Sequence, residues 1–292
     1  MNRRNFLRTT SLTAASVPAI AASAATKAFS DGQPTIDTNV YLGNWPFRSL
    51  PIQTPKAMAK KLRDAGITKA WVGHFDALLH RDLDAVNARL AAVCRSIEGR
   101  PFVPFGSVNP AHPGWRETLR RCHEVHRMTG IRLHPNYHDY QVDDPRFIEL
   151  LADARQRDLL VQIAVRMEDT RTQHPKVVVP DVAVEPLVEV LADFKGDRPR
   201  VQLINALRSV RNPLLLKRLA DRGVHFEIAM LEGAAAVAQL GETLPAAQVE
   251  FGSYAPFFYL ESALLKLVEA GTVAGDEIAL RCHNAENLLC GV

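Results

Sequence analysis

From about residue 35 onward the chain alternates between two hydrophobic periods. Short apolar bursts cover residues 35–42, 69–73, 102–108, 130–134, 159–165, 200–205, 224–229 and 249–253, each with the length and β-branched content of a buried strand. Between them, apolar residues recur every three or four positions. In "HRDLDAVNARLAAVCRSI" they are Leu83, Val86, Leu90 and Val93; in "DPRFIELLADARQRD" they are Phe147, Leu150, Leu151 and Ala154. Asp143 or Asp144 can cap the second of these helices, and "NPLLLKRLADRG" carries Pro213 at a first-turn position and Gly223 as a stop.

Eight strands alternating with helices over roughly 250 residues is the arithmetic of a (β/α)8 barrel, an α/β fold of TIM-barrel type. A doubly wound sheet would want a glycine-rich phosphate turn after an early strand, and neither G-x-G-x-x-G nor GK[ST] occurs. No Pro/Gly-rich linker divides the chain, so one barrel domain is expected over residues 34–292.

Composition adds a core large enough for that barrel: 47% of the 292 residues are hydrophobic and 23% charged, with a net charge of +3. No dense basic stretch with interleaved aromatics argues for nucleic acid. The first residues read differently from the rest. Arg3-Arg4-Asn5-Phe6-Leu7, an apolar small-residue run and an A-x-A site at Ala22-Ser23-Ala24 resemble a twin-arginine export signal over residues 1–24. The expectation is export to the periplasm or beyond, with the translocase as a transient partner, and a mature product free of membrane spans. Cys94, Cys122, Cys282 and Cys290 form no C-x-x-C pair and read as small hydrophobes, with one late disulfide left open.

In a barrel, chemistry sits where strands end and βα loops begin. That rule selects Asn39 and Tyr41 after the first strand, with Asp37 on the same face by period two. It also selects His74 and Asp76, Asn109, Arg132 and His134, Gln162 and Arg166, Asn205, Glu227, and Ser253 with Tyr254. The set is polar and rich in arginine, which suits a small anionic ligand because guanidinium forks match carboxylates. Asp37 and His134 are the candidates for acid–base work. Asn39, Tyr41, Arg132, Arg166, Asn205 and Tyr254 are the candidates for substrate contact. Arg166 opens a charged loop, "RMEDTRTQHP", that could reach over the mouth or be a solvated surface loop.

Four stretches resemble the amidohydrolase superfamily, in its amidohydrolase-related branch of metal-dependent hydrolases and decarboxylases. They are "TIDTNVYLGNWPF", "GIRLHPNY", "VEFGSYAPF" and "HNAENLLCG". The resemblance implies a metal held first by Asp-x-His-x-His. Here Asp37 matches, and the two histidines are Asn39 and Tyr41. The strand-five histidine, by its place after "LVQI", falls on Ala164. The strand-six histidine, in "VQLINAL", falls on Asn205, and the strand-eight aspartate on Tyr254. Zinc normally takes three protein ligands from His, Cys and carboxylate, so the resemblance carries a degenerate metal site. No cofactor is expected; the one ion the frame would admit is a single divalent metal of the zinc type in an altered site.

The resulting expectation is an amidohydrolase-related hydrolase acting on a small anionic amide, lactone or ester without the family metal. Its alternatives are a metal-free lyase or decarboxylase on a small carboxylic acid, and a binding protein without catalysis on the same frame. Substrate identity is open, and a homo-oligomer is compatible with the chain.

Overall fold

The structure is a computed structural model that describes residues 33–291 except 197, 272 and 273. The leader expected over residues 1–24 lies outside the described residues. The elements run β1 (Ile36–Leu42), α1 (Pro55–Asp64), β2 (Lys69–His74), α2 (Leu83–Ser96), β3 (Phe102–Gly106), α3 (Trp115–Glu124), β4 (Gly130–Leu133) and α4 (Pro145–Gln156). The second half runs β5 (Leu160–Ala164), α5 (Leu187–Asp193), β6 (Val201–Ile204), α6 (Pro213–Ala220), β7 (Val224–Glu227), α7 (Ala236–Leu240), β8 (Val249–Glu250) and α8 (Leu260–Ala270). Helical turns from Ala274 to Cys290 follow.

The strands pair in parallel in the order β1 to β8. Closure back onto β1 is made by the chain just beyond β8: Thr38 N donates to Phe251 O at 2.9 Å, Tyr254 N to Asn39 O at 2.7 Å, and Tyr41 N to Ala255 O at 2.9 Å. The architecture is the (β/α)8 barrel that the sequence periods predict. From β3 onward the strands end one to three residues earlier at their carboxyl ends than the apolar bursts do. His134, Asn205, Ser253 and Tyr254 lie past the ladder, and Asn205 and Tyr254 adopt left-handed backbone (φ 56° and 59°). These polar residues turn out of the sheet where a βα loop begins, and the apolar pattern does not record that turn.

The helices follow their capping signals. Asp82 Oδ1 accepts from Ala85 N at 2.9 Å to start α2, and Asp144, rather than Asp143, accepts from Arg146 N at 2.8 Å ahead of Pro145 in α4. Leu83, Val86 and Leu90 are buried, with Val93 partly so, as a 3.6-residue period demands. All four cysteines are free thiols, so the late disulfide is not formed. Among the described residues no helix is long and apolar enough to cross a membrane.

Two kinds of core result. Outward-facing strand side chains such as Val40, Val72, Ile131, Leu133, Ile163 and Leu203 pack under the helices. The barrel interior is apolar at its floor, where Trp71 stacks on Phe105 at 5.2 Å, and polar above that. Branched aliphatic residues usually fill such a space.

Candidate functional site

The interior belt begins on β4. Arg132, fully buried, donates to three backbone carbonyls: Val40 O at 2.7 Å, Trp71 O at 3.0 Å and Thr38 O at 3.2 Å. Its Nε donates to Gln162 Oε1 at 2.8 Å. Gln162 Nε2 passes the chain to Gln202 Oε1 at 2.6 Å, and Gln202 Nε2 to Glu250 Oε2 at 2.8 Å. Glu250 Oε1 ends it on His225 Nδ1 at 2.6 Å. The links follow from period two, which points alternate residues of β4, β5, β6, β7 and β8 inward. Buried charge is tolerable only when so partnered.

On the inner face of β1, Asp37 is held on all sides. Its Oδ1 accepts from Asn39 N at 3.1 Å and Ser253 N at 3.0 Å, and its Oδ2 pairs with Ser253 Oγ at 2.5 Å. Asn39 Nδ2 donates to Asn205 Oδ1 at 2.8 Å and to Glu227 Oε1 at 3.1 Å. Glu227 is fully enclosed, accepting also from Asn205 N at 2.6 Å and Ala229 N at 2.5 Å. A Cβ on Gly252 would stand 2.4 Å from Glu227 Oε2, so only glycine lets β8 pass the carboxylate.

The top layer is aromatic. Tyr41 stacks on Phe75 at 4.8 Å and meets Tyr254 edge-on at 5.6 Å, while the Arg132 guanidinium lies 4.5 Å from its ring centre. Tyr254 stacks on Phe257 at 4.9 Å, and Trp45 packs edge-on against Phe75 and Phe257. The two phenols end on different partners. Tyr254 Oη donates to Met167 O at 2.6 Å; Tyr41 Oη lies 3.0 Å from His134 Nε2 and 3.6 Å from Met167 Sδ. His134 Nδ1 is buried and meets no partner among the described residues. A bare lone pair there costs less than an orphaned N–H, which favours His134 Nε2–H donating to Tyr41, and Tyr41 donating onward to the sulfur.

Burial dominates the electrostatics of this stack. It pushes the Asp37 carboxyl up to about 7 against the hydrogen bonds from Ser253 and Asn39, and raises Glu227. It lifts the Tyr41 phenol to about 12 and Tyr254 higher still, and drives His134 well below the usual imidazole range, aided by His138 and Arg132. At neutral pH the Tyr41–His134 pair is therefore uncharged.

Asp37 supplies a direct test of this environment. A carboxyl whose folded value lies above its unfolded value of 3.8 contributes stability that is complete below about pH 4 and lost as pH rises to about 7. Asp37→Asn keeps the shape and removes the titration. The stability lost between pH 5 and pH 8, read from urea midpoints, is expected to shrink by roughly 2–3 kcal/mol relative to the native chain. Equal pH slopes in the two proteins would refute the assignment.

The positions where the resemblance implies metal ligands do not fit a metal ion. Both oxygens of Asp37 and of Glu227 are engaged by hydrogen bonds, and Asn39 turns its N–H₂ toward Asn205 and Glu227, leaving its Oδ1 without a partner among the described residues. Ala164 has no donor atom, and Tyr254 spends its hydroxyl on a carbonyl. Among the described residues no group of three His, Cys, Asp or Glu side chains is placed to hold one.

The structure thus gathers Asp37, Asn39, Asn205 and Glu227 in one cluster and Tyr41, His134 and Tyr254 in a second above it. Two expected ligand contacts are otherwise engaged. Arg132 is spent on backbone carbonyls beneath Tyr41. Arg166 grips Asp181 through two nitrogens at 2.7 and 2.5 Å, and Ser209 braces the same carboxylate at 2.6 Å. Asp37 lacks a free oxygen for base work while Ser253 holds it. Of the loop "RMEDTRTQHP", Glu168 reaches over the mouth to pair with Arg48, and His174 stacks on Phe47 at 6.0 Å; Asp169 instead binds Arg171 and Arg208. Sequence reasoning missed Trp45, Arg48, Phe75, Phe257, Gln202 and Glu250. The aromatic runs "NWPF" and "YAPFF" shortly after the first and last strands were a usable signal for two of them, Trp45 and Phe257.

No protein-family model matches the chain, and no curated protein does. Solved structures do. A 5-carboxyvanillate decarboxylase from Sphingomonas paucimobilis is 14% identical with a TM-score of 0.68, over 88% of this chain and 99% of the other. A 2,6-dihydroxybenzoate decarboxylase from Rhizobium is 12% identical with a TM-score of 0.65, over 89% and 98%. A 5-carboxyvanillate decarboxylase from Novosphingobium aromaticivorans, complexed with manganese and a nitrobenzoic acid, is 14% identical with a TM-score of 0.62, over 89% and 96%. At these identities the likeness is one of fold, and at that level it supports the resemblance to the amidohydrolase superfamily. It also corrects the hydrolase expectation. These neighbours carry out decarboxylation, and the centre described above has no free carboxylate or imidazole pair placed to activate a water.

Proposed function

We propose that the chain is a metal-independent lyase of the decarboxylase kind, acting on a small aromatic carboxylic acid at the carboxyl end of the barrel. The observation that carries this reading is an aromatic mouth standing over a buried Tyr41–His134 pair, its hydroxyl and ring nitrogen 3.0 Å apart. Hydrolysis needs an activated water, whereas decarboxylation consumes none. It needs an environment that disfavours the carboxylate charge and one proton for the vacated carbon. The partly exposed rings of Tyr137 and Phe258 give an arene aromatic surface to pack against.

The step balances simply. The ring–carboxyl bond breaks, carbon dioxide leaves, and the bonding electron pair stays on the ring carbon, which takes a proton from the His134–Tyr41 pair; solvent restores that proton afterwards. Burial keeps His134 neutral in the free protein, and an arriving carboxylate reverses the sign by favouring the imidazolium. The likeness in fold to decarboxylases of hydroxylated benzoates supports the substrate class.

The test is carbon dioxide release from hydroxybenzoates by protein dialysed against a chelator, in heavy water. One deuterium at the vacated ring carbon, with a rate unchanged by the chelator, is the expected result. Release only after manganese is restored would overturn the metal-independent reading. A second reading, binding without turnover, is favoured by the complete burial of Tyr41 and Tyr254; saturable binding with no carbon dioxide would establish it. We also propose, on the leader-like residues 1–24, that the chain is exported. A mature N-terminus at Ala25, measured by mass spectrometry of a periplasmic fraction, tests this.

A further inference from the structure

The mouth holds an ion pair that neither the fold nor the proton pair requires. Glu168, one residue past Met167, has its side chain only 3% exposed, and its carboxylate meets Arg48 from the loop after β1. Arg48 is 45% exposed, and its guanidinium lies 4.6 Å over the ring of Phe257, the residue stacked on Tyr254. A carboxylate thus already sits above the tyrosine layer, gripped by an arginine that solvent can reach.

We propose that Arg48 is the anchor for the ligand's carboxylate and that Glu168 occupies it as a built-in competitor. The inference rests on the aromatic-acid reading above. The other guanidiniums near the mouth are committed elsewhere: Arg132 is buried on backbone carbonyls, Arg166 is locked to Asp181, and Arg208 holds Asp169 and Glu232. Arg48 differs in its access to solvent, its side chain being 45% exposed against 16% for Arg166 and 25% for Arg208. The loop that carries Glu168 is stapled to itself by Gln173, whose amide donates to Glu168 O at 3.1 Å and Val179 O at 2.8 Å and accepts from Val179 N at 2.7 Å. Among the described residues, its side-chain contacts with the loop after β1 are Arg48–Glu168 and the Phe47–His174 stack.

A benzoate-type ligand reproduces both halves of the present contact. Its carboxylate offers the guanidinium the same two oxygens as Glu168, and its ring can lie against the aromatic faces beside Phe257. The free protein is then mostly in a self-occupied state, which lowers apparent affinity in proportion to the open fraction.

Benzoate is titrated into the native chain, Glu168→Gln, Arg48→Gln and Arg48→Lys, following Trp45 fluorescence and calorimetry, with circular dichroism confirming a native fold in each. Glu168→Gln is expected to bind about tenfold or more tightly than native, Arg48→Gln to lose binding, and Arg48→Lys to fall between. Benzamide, without the charge, is expected to gain nothing from Glu168→Gln. Equal benzoate affinity in native and Glu168→Gln, or retained binding in Arg48→Gln, overturns the proposal. Because only binding is read, this pattern without carbon dioxide release would sink the lyase reading and leave the anchor standing.

Discussion

Replacing Arg132 by leucine is expected to lower stability more than any other single change in the barrel interior. The guanidinium satisfies Val40 O, Trp71 O, Thr38 O and Gln162 Oε1 at once, all in space closed to water. Leucine takes that donor from Val40 O, Trp71 O and Gln162 Oε1, at about 1–3 kcal/mol apiece, while Thr38 O keeps Gln162 Nε2 at 2.8 Å. It also interrupts the belt that runs through Glu250 to His225, so a loss of at least ~4 kcal/mol follows even with partial relaxation. Lysine keeps the charge but cannot fork to three carbonyls and an amide, so Arg132→Lys should recover only part of the loss. Gly73→Ala is an independent probe: its added Cβ would stand 2.9 Å from Arg132 Cδ, pressing on the same side chain without altering its charge. Urea midpoints at constant m-value read all three. An Arg132→Leu protein within 1 kcal/mol of native would show the belt to be incidental, against the ~1–3 kcal/mol expected for each orphaned acceptor.

At the positions where the resemblance implies metal ligands, hydrogen bonds between the side chains hold the barrel interior together. A ring of aspartate and histidine around an ion leaves many acceptors facing one cation. Here the acceptors that remain, Asp37 and Glu227, are quenched by backbone N–H groups and by the amide of Asn39. The fixed positive charge beneath them is Arg132, a side chain of β4. Tyr41 and Tyr254 fill the volume above. The substitutions are therefore mutually dependent, and restoring one histidine alone would place a ring against partners arranged for an amide or a phenol.

How much of this was legible in the sequence divides along physical lines. Strand and helix positions were, because burial imposes periods of two and about 3.6 that survive in Leu83, Val86 and Leu90 or in the alternation of Asp37, Asn39 and Tyr41. The gathering of Asn39, Asn205 and Tyr41 at one end of the barrel was too, since parallel strands share one carboxyl end. Partner choice was not. Arg132 and Arg166 look alike in a chain of letters, yet one faces the sealed interior and the other meets Asp181, fifteen residues on, across a loop. Nothing local separates those fates. Arg48 was hidden for the same reason: its role depends on Glu168 arriving from a loop 120 residues away.

His134→Gln is expected to reduce carbon dioxide release by about 10²–10⁴-fold, the span that a positioned proton donor contributes. Glutamine keeps a polar group near Tyr41 Oη but carries no titratable proton. Tyr41→Phe keeps the Phe75 stack and the face over Arg132, and removes only the hydroxyl 3.0 Å from His134. If the two residues act as one donor, the double variant is no slower than the worse single one, because each change already breaks the same path. The pH profile separates this from a structural effect. Turnover needs His134 to gain a proton once the ligand is bound, so the native kcat should be highest at low pH and fall tenfold per unit above the His134 value in the complex. That limb should vanish in His134→Gln while the KM for the aromatic acid changes little, since Arg48 lies in a different loop. A His134→Gln protein that keeps more than about a tenth of the native rate, against that 10²–10⁴ span, would move the proton donor elsewhere. The nearest remaining candidate is then Asp37, whose value near 7 suits proton transfer but whose oxygens must first leave Ser253.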